Sequence, residues 1–273
     1  MNSIKIDTPV VSVAWLNKHR KASNIIILDG TINKVFNPNT QQIPHSRLFD
    51  IKKKFSNTND PFPSAFPSID LFKKSAQELG VNNDSAIIVY DDKGIYSSAR
   101  VWWLFKAFGY NNVAVLDGGF PEWLNQNLPT TDMQEYKGEK GNFTPIYKSK
   151  YMCFFNDMRL ASKQKTHHII DARSKDRFNC LVPEPRAGLR MGTIPNSKNL
   201  PFTELLHEGK FKSKQEIEHL LKTRIPNKAD ATIISCGSGL TACVVALAAE
   251  LVAYTNMTVY DGSWTEWGSL VNA

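Results

Sequence analysis

The chain has 273 residues, of which 42% are hydrophobic, 11% aromatic and 22% charged. That is a globular composition, and it excludes a collagen, a coiled coil or a disordered chain. No run approaches the roughly 18 apolar residues of a membrane helix. The net charge of +7 comes from scattered lysines, with small clusters at residues 52–54 and 137–150 and no interleaved aromatics. This pattern reads as solvated surface rather than a nucleic-acid footprint. The start, Met-Asn-Ser-Ile-Lys-Ile-Asp, lacks the apolar core of a secretory signal, which predicts a cytoplasmic protein.

In chain order, residues 25–29 form an apolar run ending in Asp29. Residues 86–90 read as a buried strand, Ser97 to Gly109 as a helix with Gly109 at its stop, and 113–116 as the next strand. Residues 131–150 hold Gly138, Gly141, Pro145 and many charges, and read as a linker wrapping the surface. A second apolar run ends at Asp171. Residues 232–235 read as a strand, Thr241 to Tyr254 as a helix and 257–260 as a strand. That helix is apolar nearly all round, which predicts packing on several sides. Strand–helix–strand order predicts an α/β fold with a mostly parallel sheet flanked by helices.

At roughly 150 residues per domain the length fits one large domain or two small ones, and an internal repeat decides for two. The Asp29 run is matched by the Asp171 run, and Ile43-Pro44 by Ile194-Pro195. The strand ending at Asp91 is matched by one ending at Cys236. Asp117-Gly118-Gly119-Phe120-Pro121-Glu122-Trp123 is matched by Asp261-Gly262-Ser263-Trp264-Thr265-Glu266-Trp267. Shared order at nearly constant offset implies duplicated domains rather than a solenoid. The expected division is 1–130 and 151–273, joined by 131–150.

Four cysteines occur, Cys153, Cys180, Cys236 and Cys243, with no CxxC pair. A zinc site therefore has no support, and a disulfide framework is not expected without a secretory signal. Residues 236–242 read Cys-Gly-Ser-Gly-Leu-Thr-Ala and lie between a strand and a helix. In open α/β sheets, ligands bind at that end of the strands. Gly237 and Gly239 let the backbone curl so that N–H groups point inward. The helix N-terminus adds partial positive charge. A cysteine so placed favours its thiolate form and is the reactive candidate. Cys243 reads as a buried helix residue, and Cys153 and Cys180 have no such cradle. A cysteine phosphatase would need arginine at position 242 to grip phosphate bidentately, and Ala242 stands there.

The loop at 236–242 resembles that of the rhodanese superfamily, and within it the 3-mercaptopyruvate sulfurtransferases. The likeness extends to Tyr96-Ser97-Ser98-Ala99-Arg100-Val101-Trp102-Trp103, to Asp171-Ala172-Arg173 with Arg177-Phe178 and Glu184-Pro185-Arg186, and to Asp261-Gly262-Ser263-Trp264. It implies two tandem rhodanese-like domains, the first noncatalytic because Asp91 stands where the second has Cys236. It implies that Cys236 is nucleophile and persulfide carrier and that Ser238 assists catalysis. Arg177 and Arg186 would hold the carboxylate and keto oxygen of 3-mercaptopyruvate. The N–H groups of Gly237, Ser238, Gly239, Leu240 and Thr241 would stabilise the persulfide, with Thr241 also shaping the helix start. The implied acceptor is a thiol such as thioredoxin, or cyanide, with no metal or organic cofactor.

Two alternatives share the loop. One is a relay module taking persulfide sulfur from a cysteine desulfurase. The other is a thiosulfate:cyanide sulfurtransferase, disfavoured because Gly237 and Ser238 supply no cation for a dianion. There is also a departure. The family carries His-Ile-Pro-Gly in the first domain, and here the segment is Gln42-Ile43-Pro44-His45. Gln42 cannot shuttle a proton, residues 33–41 contain no acid, and Thr193 stands at the matching place in the second half. Either that proton relay is dispensable here or His45 substitutes for it.

Overall fold

The computed structural model describes residues 3–272, which fall into two compact units. Unit 1 takes the residues up to 58, 66–148 and 208–211; unit 2 takes 59–65, 149–207 and 212 onward.

In unit 1 the strands of the main sheet are β1 (Val10–Val11), β2 (Ile25–Asp29), β3 (Arg47–Leu48), β4 (Ala86–Tyr90) and β5 (Val113–Leu116). They form one sheet in the order β1-β5-β4-β2-β3, with every pairing parallel. In unit 2 the strands of the main sheet are β6 (Met152–Cys153), β7 (His168–Asp171), β8 (Ser197–Asn199), β9 (Thr232–Ser235) and β10 (Met257–Tyr260). Their order is β6-β10-β9-β7-β8, again all parallel. The two orders are identical, as the sequence repeat predicts. β4 and β9 are central and buried along their whole length, which explains their unbroken apolar runs: strands of a parallel sheet are covered on both faces.

The covering helices of unit 1 are α1 (Val13–His19), α2 (Ile69–Glu78), α3 (Ser98–Ala107) and α4 (Gly119–Asn125). Those of unit 2 are α5 (Phe155–Gln164), α6 (Lys175–Phe178), α7 (Lys214–Lys222), α8 (Ala242–Leu251) and α9 (Ser263–Leu270). Amphipathic α7 is started by Ser213 and Glu216 in a capping box that satisfies two otherwise orphaned N–H groups. α8 is buried at every residue from Ala242 to Ala249. No helix among the described residues is long and apolar enough to cross a membrane.

α8 ends at Leu251, three residues before the stop read from the sequence. Ala253 adopts φ 66°, and the N–H groups of Ala253 and Tyr254 return to the carbonyls of Glu250 (3.0 Å) and Ala249 (2.9 Å). α3 ends the same way, with Gly109 at φ 79° and the N–H groups of Gly109 and Tyr110 on Lys106 (3.0 Å) and Phe105 (2.8 Å). Both are Schellman ends. Residues 131–148 lie along unit 1: Phe143 is buried, and its N–H donates to the Val81 carbonyl at 3.1 Å.

Candidate active site

β9 delivers Cys236 to its carboxyl end, and α8 starts at Ala242. Between them the loop is held from below by the start of α9. Ser263 sits at φ 51°, and its hydroxyl accepts the N–H groups of Cys236 (3.0 Å) and Gly239 (3.2 Å). The same hydroxyl donates to the Tyr260 carbonyl at 2.9 Å and lies 3.8 Å from Cys236 Sγ. The Trp264 N–H donates to the Cys236 carbonyl at 2.9 Å, and the Thr265 N–H to the Gly237 carbonyl at 3.0 Å. In a trans peptide, a carbonyl and the next N–H point opposite ways. Both pinned carbonyls therefore turn the N–H groups of Gly237 and Ser238 away from α9.

The two glycines serve different ends. Gly239 is in the left-handed region at φ 74°, where a side chain is strained. Gly237 is not. Its bare Cα instead leaves room for Arg177, whose Nη2 would lie 3.0 Å from a Cβ built there. Gly239 spends its N–H on Ser263, which removes it from the set of five expected to face the sulfur. Among the described residues, no hydrogen bond takes the N–H of Gly237, Ser238, Leu240 or Thr241. Leu240 is buried, while Ser238 and Thr241 are half-buried. Thr241 occupies the N-cap of α8 without a side-chain capping bond, and its carbonyl accepts the Val244 N–H at 3.1 Å.

Arg177, on α6, is fixed by Glu184: Nη2 lies 2.5 Å from Oε2. Glu184 also accepts Arg173 Nη1 at 2.7 Å, and Arg173 Nη2 reaches Asp171 Oδ2 at 2.6 Å and the Gly192 carbonyl at 2.9 Å. Arg173 and Arg190 stand 4.6 and 4.8 Å from the ring centre of Trp264. Arg186 is exposed, and its Nη1 donates to Thr265 Oγ1 at 2.7 Å. Cys236, Arg177 and Arg186 therefore border one loop, although 58 residues separate Arg177 from Cys236. The other thiols lack this setting. Burial pushes the Cys153 thiol far up, with Asp157, Asp261 and Glu266 adding to it. Cys243 is buried with Sγ 3.4 Å from the Gly239 carbonyl, and Cys180 is exposed.

The rhodanese-like domain model matches the chain twice, at residues 12–126 and 156–270. The chain belongs to the rhodanese family. The 3-mercaptopyruvate sulfurtransferase of Mus musculus is 39% identical over 230 residues, 83% of this chain and 77% of its own. That of Escherichia coli strain K12 is 35% identical over 270 residues, covering 95% and 94%. A crystal structure of the E. coli 3-mercaptopyruvate sulfotransferase superposes with a TM-score of 0.82 at 33% identity, covering 94% of this chain and 99% of that one.

The first rhodanese domain treats the same loop differently. Asp91 follows β4, is fully buried, and accepts the N–H groups of Lys93 (2.9 Å), Tyr96 (2.9 Å) and Ser98 (2.8 Å). Burial pushes this carboxyl up, and the hydrogen bonds pull against the shift. The loop is one residue longer, six residues separating Asp91 from α3 against five between Cys236 and α8. Gly119, at φ 53°, stands where Ser263 stands in the second domain, and the Phe120 N–H holds the Asp91 carbonyl at 2.9 Å. Gln42 is buried, its amide donating to the Ser46 carbonyl at 3.2 Å; His45 is exposed at φ 66°.

Sequence reasoning quoted Arg173, Glu184, Ser263 and Thr265 within motifs but gave none of them a task. The available signal was repeat position: Ser263 and Thr265 replace Gly119 and Pro121 in the half that also gains a cysteine.

Proposed function

We propose that the protein is a 3-mercaptopyruvate sulfurtransferase whose second domain carries the reaction and whose first does not. The observation that carries this reading is the contrast between the two loops. In the first, a buried carboxylate takes up the inward N–H groups. In the second, the loop that follows the cysteine keeps the N–H groups of Gly237, Ser238, Leu240 and Thr241 out of any hydrogen bond among the described residues, and we assign them to an anion that grows on the Cys236 sulfur. The names of the relatives support the substrate.

The Cys236 thiolate attacks the thiol sulfur of 3-mercaptopyruvate. An S–S bond forms, the substrate C–S bond breaks, and its electron pair passes into the pyruvate enolate. The proton carried by the transferred sulfur leaves it, and the enolate carbon takes up one proton, giving pyruvate and a Cys236 persulfide anion. Arg177 and Arg186 hold the carboxylate and keto oxygen, for which planar guanidinium is suited. The N–H groups of Gly237, Ser238, Leu240 and Thr241 face the persulfide. Ser238, half-buried in the loop, is the residue assigned to pass that proton to the enolate, its hydroxyl being reprotonated from solvent. An acceptor thiolate, such as that of thioredoxin, then attacks the outer sulfur and releases the Cys236 thiolate; cyanide does the same, leaving as thiocyanate.

Cys236→Ser should abolish pyruvate release from 3-mercaptopyruvate, and retained turnover would sink the reading. The ratio of kcat/KM for 3-mercaptopyruvate to that for thiosulfate should lie well above one. The loop offers thiosulfate no cation of its own at Gly237 or Ser238, and a ratio below one would shift the assignment to the thiosulfate enzyme.

A further inference from the structure

We propose that Thr265 is a positioning residue that couples capture of the substrate carboxylate to the orientation of the Cys236 loop. The proposal rests on the assignment of Arg186 to the substrate. Thr265 is 6% exposed. Its Oγ1 lies 2.6 Å from the Gly237 carbonyl oxygen and 2.7 Å from Arg186 Nη1. A carbonyl can only accept and a guanidinium can only donate. The hydroxyl proton is therefore committed to Gly237, and a lone pair to Arg186. One side chain ties an arginine to a loop peptide with both of its roles fixed by chemistry.

The Thr265 N–H adds a second bond to the same carbonyl at 3.0 Å. Two donors hold the Gly237 carbonyl against α9, and the planar peptide turns the Ser238 N–H the other way. Chains of hydrogen bonds polarise one another, so a firmly held Arg186 strengthens the hydroxyl's grip on Gly237.

The duplicated domain removes the device at this point. Pro121, third residue of α4, stands where Thr265 is third in α9. It has neither N–H nor hydroxyl. The neighbouring pin survives there, from the Phe120 N–H to the Asp91 carbonyl at 2.9 Å. The tie that would join an arginine to the loop is gone, in the half without the cysteine.

The test compares Thr265→Val, which keeps the shape and loses the hydroxyl, with Thr265→Ser, which keeps the hydroxyl. Cys236 is alkylated with iodoacetate, which carries a carboxylate, and with neutral iodoacetamide, and the Cys236 peptide is read by mass spectrometry so that exposed Cys180 does not contribute. The wild-type rate ratio should favour iodoacetate. Thr265→Val should cut that ratio roughly tenfold, the scale of one hydrogen bond to a charged group, and raise KM for 3-mercaptopyruvate on the same scale. Thr265→Ser should restore both. The alkylation ratio needs no sulfur transfer, so it stands even if the substrate assignment fails. A ratio unchanged in folded Thr265→Val overturns the proposal, as does a loss that Thr265→Ser fails to restore. If Thr265→Val melts early, Thr265→Ala is read against the same two outcomes.

Discussion

Glu184 shows how a charged residue organises the candidate site without touching the reacting atoms. Its carboxylate is shared between Arg173, which is fully buried, and Arg177, which is 24% exposed. With Asp171 on the far side of Arg173, two carboxylates balance two guanidiniums. Glu184→Gln keeps the shape and removes one charge, leaving Arg173 and Arg177 with a single carboxylate. Removing one member of a buried pair costs about 3 kcal/mol or more. The denaturation midpoint of unit 2 should fall by a corresponding amount, and KM for 3-mercaptopyruvate should rise as Arg177 loses its anchor. An unchanged midpoint would show that the cluster is solvated. Arg177→Lys should reverse the emphasis, with a small change in midpoint and a large one in KM. This cluster also marks what the sequence could and could not convey. Cys236, its glycines and the helix start lie within seven residues, and local chemistry names them. The pairing of Arg173 with Glu184 spans 11 residues, and that of Ser263 with Cys236 spans 27. Both depend on how the loops fold back, which no periodicity encodes.

At the scale of the element, the two corresponding helices test how much of a boundary a sequence can carry. α3 stops at a glycine, and that stop was legible because glycine adopts the left-handed conformation without strain. α8 makes the same hydrogen bonds around Ala253, and nothing in Val-Ala-Tyr announces them. The apolar pattern simply ran on to Tyr254, which is itself buried. The physical difference is one Cβ at φ 66°. Ala253 is exposed, so Ala253→Gly should stabilise unit 2 by about 1 kcal/mol through relief of left-handed strain. The mirror change, Gly109→Ala, should destabilise unit 1 by more than that. It adds the strain and also brings a Cβ to 2.7 Å from the Ile146 carbonyl. Urea midpoints of the two variants against wild type check both signs. A destabilised Ala253→Gly would mean that chain entropy outweighs strain at this end.

Across the whole molecule, one duplicated architecture carries two electrostatic solutions to the same loop. Strand order, helix ends and the pin from α4 or α9 are held in common, which is why the repeat was enough to predict two domains of one fold. The chemistry differs at several positions at once. Asp91 fills its own cradle, the loop gains a residue, Gly119 and Pro121 replace Ser263 and Thr265, and no arginine occurs between Gly30 and His45. The one lysine in that stretch, Lys34, is tied to Asp29 at 2.6 Å. If the missing cysteine were the only defect of unit 1, Asp91→Cys would make a second sulfur carrier. The differences above argue otherwise. The new thiol would lack the hydroxyl of Ser263, the second pin on its loop and both guanidiniums for the keto acid. The double variant Asp91→Cys with Cys236→Ser should therefore release no pyruvate above the Cys236→Ser background. Circular dichroism would establish that unit 1 still folds. Turnover restored to even a few per cent of wild type would show that the cysteine alone separates the two halves, and that the arginines and the α9 contacts add little to catalysis.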